Sequence, residues 1–324
     1  MASFLSDTSV TDTSSIKLPY HYGNTKLLGS RQDYVIYGET SEYKYHVILD
    51  GHGKGKVAKT LSTINWDKVI STYQSPKNML ANINKHILRS KDTKYVNNVR
   101  DGTTCNIVLI FEKTGIIKTF NIGDSMTGIK INDTITFTKM HNAENESEIQ
   151  RIQENGIEIE ETWALKVLSS KSLDATMKKG KYFKFKYEYP DDTPVMHYEF
   201  NTVIDKLAMT RSIGHNHAHH FVTLQDFECE TYSYTPGTDT VTIISASDGL
   251  WDVLCPEATR QIFTDVETST SPNPVNNLLD MAENLWTATW NYHTPSGFTG
   301  YGDPPTQCGL GGADDVGIAV YHCK

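Results

Sequence analysis

Carboxylates recur in this sequence beside runs of apolar residues that are typical of buried β-strands. The stretches are VILDG, FNIGDS, IISASDG and GGADDVG, and their aspartates are Asp50, Asp124, Asp248 and Asp314. Each one alone is most simply the start of a turn or the cap of a helix. If the strand ends converge, carboxylates about 4 Å apart repel by roughly 4 kcal/mol at an effective dielectric constant near 20, so the pocket needs a counter-charge. All-oxygen ligand sets favour hard cations such as Mg²⁺ or Mn²⁺, whose retained water supplies a nucleophile.

The segment VILDGHGKGK, residues 47–56, looks at first like a phosphate-binding glycine loop. A P-loop needs four residues between its first Gly and its Gly-Lys pair, then Ser or Thr, whereas this segment has three and continues with Val57. The spacing therefore excludes a nucleotide loop. What remains is Asp50 at a strand end, glycines that allow close approach of the backbone, and the titratable imidazole of His52. A histidine that merely pairs with its neighbouring carboxylate is the alternative for His52.

The composition argues against several classes of partner. The 324 residues carry a formal net charge of −9 with a pI near 5.7, whereas nucleic acids and anionic membranes are held chiefly by basic surfaces. The five cysteines form no CxxC pair, which fits a reducing cytoplasm better than a disulfide framework or a zinc site. No apolar run approaches transmembrane length. We therefore expect a cytoplasmic protein that uses neither nucleic acid nor membrane, and a monomer is the expected oligomeric state.

The elements that must position the carboxylates come in pairs along the chain. Strands are predicted at 34–38, 45–49, 105–112, 116–122, 240–245 and 316–322, and helices at 57–72, 77–90, 144–154, 256–267 and 275–291. Pairs of strands followed by pairs of helices predict sheets covered by helices. Residues 1–20, rich in Ser, Thr and Asp, are predicted to be a mobile leader. Residues 21–324 are predicted to form one domain, because no linker divides them.

An irregular block at about 159–200 contains the basic and aromatic alternation KGKYFKFKYEY. Its lysines and aromatic rings suit the phosphates and bases of a single-stranded nucleic acid. An edge strand or hairpin whose lysines deter aggregation is the alternative, and the acidic net charge favours it. The run HNHAHH at 215–220 is interpreted as a solvated loop rather than a metal-binding tract.

Seven segments occur in the order of the motifs of one enzyme family. They are VILDGHG, DGTTCNIVLIF, FNIGDSMTG, NAENESEIQRIQENG, LAMTRSIG, ISASDGLWDVL and GGADDVGIAV. From about residue 22 to 322 the sequence thus resembles the metal-dependent serine/threonine protein phosphatases, the PPM or protein phosphatase 2C-like family. The resemblance implies an α+β fold, a four-layer sandwich of two central antiparallel β-sheets flanked by α-helices. The block at 159–200 would be a variable insertion in this domain.

The resemblance also implies two bound Mn²⁺ or Mg²⁺ ions. Asp50 matches the carboxylate that bridges both ions, and the Gly51 carbonyl matches a backbone ligand of one. Asp248 and Asp314 match the other two core ligands. Asp33, in GSRQDYVIY, matches the remaining early acidic position.

A third, weaker metal site occurs in some members of the family. Asp124 and Asp252, together with Asp248, match its ligands. His52 matches the imidazole proposed as general acid toward the leaving alkoxide. The implied chemistry is direct attack by a metal-bridging water on a phosphoserine or phosphothreonine ester of a phosphoprotein, without a phosphoenzyme.

The sequence departs from the family pattern at the phosphate-binding position. The family usually has an Arg five residues before the early Asp, where this chain has Leu28. Lys26 and Arg31 are the candidate replacements, and losing a bidentate guanidinium should weaken phosphate binding more than metal binding. Further departures, none at a core ligand, are Gln32 for Glu, Met126 for Arg, His215 for Asp and Asp315 for Asn.

Three functions stay open at this point. An active phosphatase is favoured because every core carboxylate position is filled. A phosphatase-like fold without activity that serves as a binding module would explain the missing Arg and the changes at Gln32 and His215. A phosphatase of small phosphate esters would use the same site.

Overall fold

The computed structural model describes residues 19–29, 31–89, 101–142, 145–154, 158–168, 175–188, 202–207, 209–215, 225–254, 256–293 and 313–324. The predicted leader lies outside the described residues up to position 18, and Tyr20 already belongs to the first strand. Across the described ranges, no helix combines the length and apolarity needed to cross a bilayer.

The structure contains the six predicted strands and, with one correction, the predicted helices, together with further strands and one short helix. The strands are β1 (Tyr20–Lys26), β2 (Tyr34–Glu39), β3 (Lys44–Leu49), β4 (Gly51–His52), β5 (Gly102–Thr103), β6 (Cys105–Phe111), β7 (Ile116–Ile122), β8 (Met126–Ile131), β9 (Thr134–Phe137), β10 (Glu158–Leu168), β11 (Ala175–Glu188), β12 (Thr202–Leu207), β13 (Ile213–Gly214), β14 (Glu228–Ser233), β15 (Val241–Ala246) and β16 (Val316–Cys323). The helices are α1 (Lys56–Ser62), α2 (Trp66–Ser71), α3 (Pro76–Arg89), α4 (Glu146–Gln153), α5 (Asp248–Trp251), α6 (Pro256–Glu267) and α7 (Pro274–His293). Each of the six predicted strands is present to within one residue at either end.

The predicted helix at 57–72 is wrong in one respect, because it is two helices. Asn65 has an extended backbone, and its side-chain oxygen accepts a hydrogen bond from the Lys68 N–H at 2.9 Å, so that it caps the start of α2. The Trp66 indole donates to the Leu61 carbonyl at 2.9 Å and fastens the corner between the two helices. The other four predicted helices lie within two residues of the observed ones.

Two five-stranded antiparallel sheets form the centre of the fold. The first sheet has the order β1-β16-β15-β8-β9, and the second has the order β14-β7-β6-β3-β2. Between them lies an apolar cluster of Val108, Ile110, Ile117, Ile129, Tyr234, Val241, Ile243 and Tyr321. A second apolar cluster joins the first sheet to α5, α6 and α7, and a third joins the second sheet to α1, α2 and α3. The fold is therefore the predicted α+β sandwich.

The basic and aromatic block contains paired strands. β10, β11 and β12 form a separate three-stranded antiparallel sheet, and β11 holds most of the KGKYFKFKYEY alternation. The hairpin interpretation is confirmed to this extent. Residues 169–174 and 189–201, which complete the block, lie outside the described residues, as does most of the HNHAHH run.

Candidate metal centre

The two sheets bring the termini of several strands together at one end of the sandwich. In the second sheet, β3 and β7 both pair antiparallel with β6, so the strands before Asp50 and Asp124 finish at the same end of the sandwich. In the first sheet, Asp248 follows β15, whose end lies beside the start of β16. One carboxylate oxygen from each of Asp50, Asp124 and Asp248 lies within 4.8 Å of the others. The structure thus gathers three of the predicted carboxylates into one cluster.

Asp33 and Asp314 lie at the same end of the sandwich, each just before the first residues of a strand. Asp33 precedes β2, which pairs antiparallel with β3, and Asp314 precedes β16. The Asp33 carboxyl lies within hydrogen-bonding reach of the Ser247 hydroxyl and of Asp50. All five acidic groups therefore lie at one end of the sandwich, as expected if the strand ends converge on a common pocket.

Burial raises the pKa of Asp33, Asp50 and Asp314 well above the ordinary value for aspartate. Lost hydration is the largest cause for each, and the charges of neighbouring carboxylates, Asp248 among them, add to it. Ionised carboxylates in such a cluster destabilise the fold unless a positive charge joins them.

The donor set fits hard divalent cations. Asp33 Oδ2 and Asp50 Oδ2 are buried and have no hydrogen-bond partner among the described residues. A buried acceptor without a partner costs free energy, which a bound cation would remove. The five side chains offer only oxygen, which favours Mg²⁺ or Mn²⁺ over zinc.

Gly51 and Asp252 adjoin the cluster. A Cβ at Gly51 would lie 2.7 Å from the Gln32 carbonyl oxygen, so the close approach of these two segments requires glycine there. Asp252 is the C-cap of α5, and its N–H donates to the Asp248 carbonyl at 2.7 Å. Both stay predicted ligands.

His52 lies beside the carboxylates on a small sheet of β13, β5 and β4. Its Nε2 is 3.9 Å from Asp50 Oδ1, and its side chain is 25% exposed, so a substrate can reach it. Burial lowers the pKa of His52 to about 4, and the negative charge of Asp248 acts in the opposite direction.

The His215 ring packs against His52, with ring centroids 5.7 Å apart. A Cβ at Gly102, the β5 residue opposite His52, would collide with the His215 ring, so this packing requires glycine at 102. The prediction of a solvated loop at 215–220 is wrong for His215, because its side chain is buried. The only signal in the sequence was its position in place of the family's Asp.

The two candidate phosphate-binding cations have different surroundings. Lys26 pairs with Asp280 at 2.8 Å and with Glu283, both on α7, so its charge is already neutralised. Arg31 is exposed and forms no ion pair within the part of the chain that the structure describes. Leu28, at the family's usual Arg position, is buried in the apolar cluster under α5, α6 and α7.

Comparison with known proteins agrees with this geometry. The family model described as protein phosphatase 2C matches residues 26–294. The chain belongs to the protein phosphatase 2C family. No curated protein matches the full sequence significantly.

Solved structures of similar fold each cover 94% of this protein phosphatase 2C chain. A sex determining protein of C. elegans has a TM-score of 0.56 at 16% identity, and this chain spans 65% of that one, just under two thirds. Serine-threonine phosphatase 2C from Toxoplasma gondii has a TM-score of 0.55 at 15% identity with 95% of its chain covered. The serine/threonine phosphatase of S. agalactiae has a TM-score of 0.51 at 16% identity with 100% of its chain covered. At these identities the likeness shows the shared fold.

Polar groups that sequence reasoning missed hold the Asp124 turn of this phosphatase 2C domain. The Asn121 amide donates to the Gly123 carbonyl at 3.2 Å and to the Lys139 carbonyl at 2.9 Å. The hydroxyls of Ser125 and Thr104 lie 2.7 Å apart. Gly123 has a φ of 104°, and a Cβ there would lie 2.5 Å from Thr104 Cγ2, so only glycine fits. The turn is therefore fixed on both sides of Asp124.

A buried ion cluster ties α4 to the segment that leads to His215. Glu148 accepts hydrogen bonds from Arg211 Nη2 at 2.7 Å, Arg151 Nη2 at 2.9 Å and Thr210 Oγ1 at 2.7 Å. Burial by itself would raise the pKa of Glu148, but hydrogen bonds from Arg211, Arg151 and Thr210 outweigh it and lower that pKa to about 2. In sequence, the cluster joins the motifs NAENESEIQRIQENG and LAMTRSIG.

Proposed function

We propose that this chain hydrolyses phosphoserine and phosphothreonine esters of phosphoproteins in a metal-dependent reaction. The convergence of Asp50, Asp124 and Asp248 in a protein phosphatase 2C chain is the observation that carries this proposal. A binding module gains nothing from buried carboxylates that repel each other, whereas a metal-dependent enzyme requires them.

Oxygen ligands at this end of the sandwich would hold two Mn²⁺ or Mg²⁺ ions. The proposed ligands are Asp33, Asp50, Gly51, Asp248 and Asp314, with Asp124 and Asp252 joining Asp248 at a weaker third site. When bound, such ions lower the pKa of water toward neutrality and offset the charge of the phosphoryl oxygens. The regular elements fix the ligands in advance, since each proposed carboxylate lies within two residues of one end of a strand or helix.

His52 is proposed to give a proton to the leaving serine or threonine oxygen. Without bound ions, a pKa of about 4 makes His52 neutral at pH 7. A phosphate dianion beside the imidazole favours the protonated form, because an opposite charge stabilises the imidazolium. Substrate binding would therefore prepare His52 to act as a general acid.

Arg31 is proposed to bind the phosphate group in place of the family's usual Arg. A guanidinium can form two parallel hydrogen bonds with phosphate oxygens. Arg31 is exposed two residues before Asp33, near the proposed metal ligands. Lys26 is the weaker candidate, because a phosphate would have to displace Asp280 and Glu283 from its ammonium.

Turnover of a phosphothreonine peptide by the full chain tests the proposal. We expect hydrolysis with Mn²⁺, none in excess chelator, and none for Asp248→Asn with unchanged circular dichroism. Asp133→Asn is a matched control, because Asp133 is an exposed carboxylate in the turn after β8, at the far end of that strand from Asp124. Full activity in chelator, or in Asp248→Asn, would contradict a metal-dependent enzyme.

The alternative functions predict different results. A binding module without activity, suggested by Leu28 and Gln32, would show neither heat nor a thermal shift on titration with Mn²⁺. A phosphatase of small esters would show similar kcat/KM values for phosphothreonine alone and for the phosphopeptide. A protein phosphatase should prefer the peptide.

A cytoplasmic location and a monomeric state are further parts of the proposal. Among the described cysteines, Cys105, Cys229 and Cys323 are free thiols, which suits a reducing compartment. Light scattering on the purified chain should give a mass near 36.4 kDa, and about twice that value would exclude the monomer.

A further inference from the structure

Asp315, which follows a proposed metal ligand, directs its carboxylate to the backbone of a distant turn. Its Oδ1 accepts a hydrogen bond from the Gly29 N–H at 2.8 Å, and its Oδ2 accepts one from the Gln32 N–H at 2.7 Å. The side chain is buried. Both oxygens are therefore used to hold the chain on either side of Arg31.

Arg31 has a backbone conformation that needs such support. Its φ is 63°, in the left-handed region that residues with a Cβ rarely adopt. Strained backbone of this kind persists where surrounding contacts over-determine it, and it concentrates at functional sites. Here the two hydrogen bonds to Asp315 bracket the strained residue.

Close packing fixes the same turn against two proposed ligand segments. A Cβ at Gly29 would lie 2.5 Å from the Ala313 carbonyl oxygen, so the turn lies directly on the chain that carries Asp314. The Gln32 side chain donates from Nε2 to the Gly53 carbonyl at 3.0 Å, beyond Asp50. Gly29 and Gln32, on either side of Arg31, are therefore packed against these two segments.

We infer that Asp315 is a positioning residue, which fixes the backbone at Gly29 and Gln32 so that the Arg31 guanidinium is held at the metal centre to bind phosphate. The inference rests on the proposed function, and it assigns to Asp315 an effect that acts through Arg31. A carboxylate is required for both hydrogen bonds. Asparagine, which the family usually has here, offers one acceptor oxygen and turns an NH₂ group toward the second N–H.

The substitution Asp315→Asn also removes a negative charge near Asp314, which can weaken metal binding by itself. A double-mutant cycle with Arg31→Ala separates the two effects. A charge effect on the metal persists when Arg31 is absent, whereas a positioning effect disappears with the side chain that is positioned. Gly29→Ala supplies a second variant, because the added Cβ would clash with the Ala313 carbonyl oxygen without changing any charge.

The experiment measures inorganic phosphate binding to the Mn²⁺-loaded full chain by calorimetry, after Mn²⁺ affinity has been measured for each variant. We expect Arg31→Ala and Asp315→Asn each to weaken phosphate binding roughly tenfold, as for the loss of a charge-assisted hydrogen bond. The double variant should bind phosphate no more weakly than Arg31→Ala alone. Gly29→Ala should weaken phosphate binding by a larger factor than it weakens Mn²⁺ binding.

Asp239→Asn is the matched control. Asp239 also accepts a backbone hydrogen bond, from Thr235 at 2.7 Å, but it lies before β15, at the end of that strand away from Asp248. Its substitution should leave phosphate affinity unchanged. In turnover, Asp315→Asn should raise KM with a smaller change in kcat, whereas general loss of structure would lower the active fraction.

Additive losses in the double variant would overturn the inference, as would unchanged phosphate affinity in Asp315→Asn. Absence of phosphate binding in the Mn²⁺-loaded wild type would overturn it too, because Arg31 would then have no ligand. Failure of the proposed function is a separate result. Phosphate binding with coupled losses but no peptide hydrolysis would refute catalysis and keep the positioning role.

Discussion

The imidazole Nε2 of His46 on β3 lies 2.7 Å from the Ser245 hydroxyl on β15, so a hydrogen bond joins the two sheets inside the sandwich. The Ser245 hydroxyl also lies 2.7 Å from Thr127 Oγ1, which donates to Asn106 Oδ1 at 2.8 Å. Asn106 then donates to Asn121 Oδ1 at 3.1 Å. Since Thr127 uses its one proton on Asn106, Ser245 must donate to Thr127 and accept from His46. The hydrogen bonds run in one direction from the interior to the turn that carries Asp124.

Ser245→Ala should break this network at its centre. The change leaves the His46 N–H without an acceptor and Thr127 without a donor, so we expect a loss of roughly 1–3 kcal/mol in the free energy of unfolding. Urea denaturation of the metal-free protein measures it. Ser62→Ala, at the exposed end of α1, should change stability by no more than about 0.5 kcal/mol. Equal stabilities for the two variants would show that the network adds nothing.

The Glu148 cluster should make stability depend on pH in acid. The pKa of Glu148 is about 2 in the folded chain, compared with an ordinary value of 4.5. Because the pKa is lower in the folded chain than in the unfolded chain, ionised Glu148 stabilises the fold at pH values above about 4.5. This stabilisation is lost as the pH falls from about 4.5 through about 2. The shift in the pKa of Glu148 corresponds to roughly 3 kcal/mol in the free energy of unfolding.

Glu148→Gln should lack this acid-dependent part, so its unfolding free energy should fall less between pH 5 and pH 2.5 than that of the wild type. Glu154→Gln, an exposed change just after the same helix, is the control and should follow the wild type. Chemical denaturation at a series of pH values gives both slopes. Parallel curves for wild type and Glu148→Gln would contradict the assignment.

Most of the central strands could be predicted from the sequence, but three of the four strands at the sheet edges could not. β3, β6, β7, β15 and β16 are buried on most positions and appear as apolar runs. β1, β9 and β14 lie at sheet edges, and β14 buries only alternate residues partly, so its sequence ECETYS carries little apolar signal. The split of the helix at Asn65 depended on capping, which periodicity does not detect.

The carboxylates of the site could be predicted because strand ends order them along the chain, and topology then brings them together. Their supports could not, because the partners are distant in sequence. Asp315 holds Gly29 across 286 positions, and Lys26 pairs with Asp280 across 254 positions. Such contacts follow from the packed fold and leave no local pattern in the chain.

Asp50→Asn should stabilise the metal-free chain while it removes the response to metal. The wild-type carboxylate is buried among Asp33, Asp248, Asp314 and Asp124, whose charges oppose its ionisation. Removing that charge should raise the free energy of unfolding at pH 7.5 by about 0.5–2 kcal/mol. Added Mn²⁺ should raise the Tm of the wild type and not that of the variant.

The exposed change Asp133→Asn is again the control, and it should retain the wild-type Tm with and without Mn²⁺. Differential scanning calorimetry measures both states. A variant that is less stable than the metal-free wild type would mean that Asp50 forms favourable contacts when no metal is bound, and that the carboxylates of the cluster do not repel one another.

His52→Gln should slow hydrolysis according to the leaving group. A threonine alkoxide is a poor leaving group and needs a proton, so turnover of a phosphothreonine peptide should fall by about 10²-fold or more. 4-Nitrophenolate leaves without a proton, so hydrolysis of 4-nitrophenyl phosphate should change little. Mn²⁺ affinity, measured by calorimetry, should be retained because His52 is not a proposed ligand. Equal losses with both substrates would instead make His52 a structural partner of Asp50, 3.9 Å away, and would leave the proton for the leaving group to solvent.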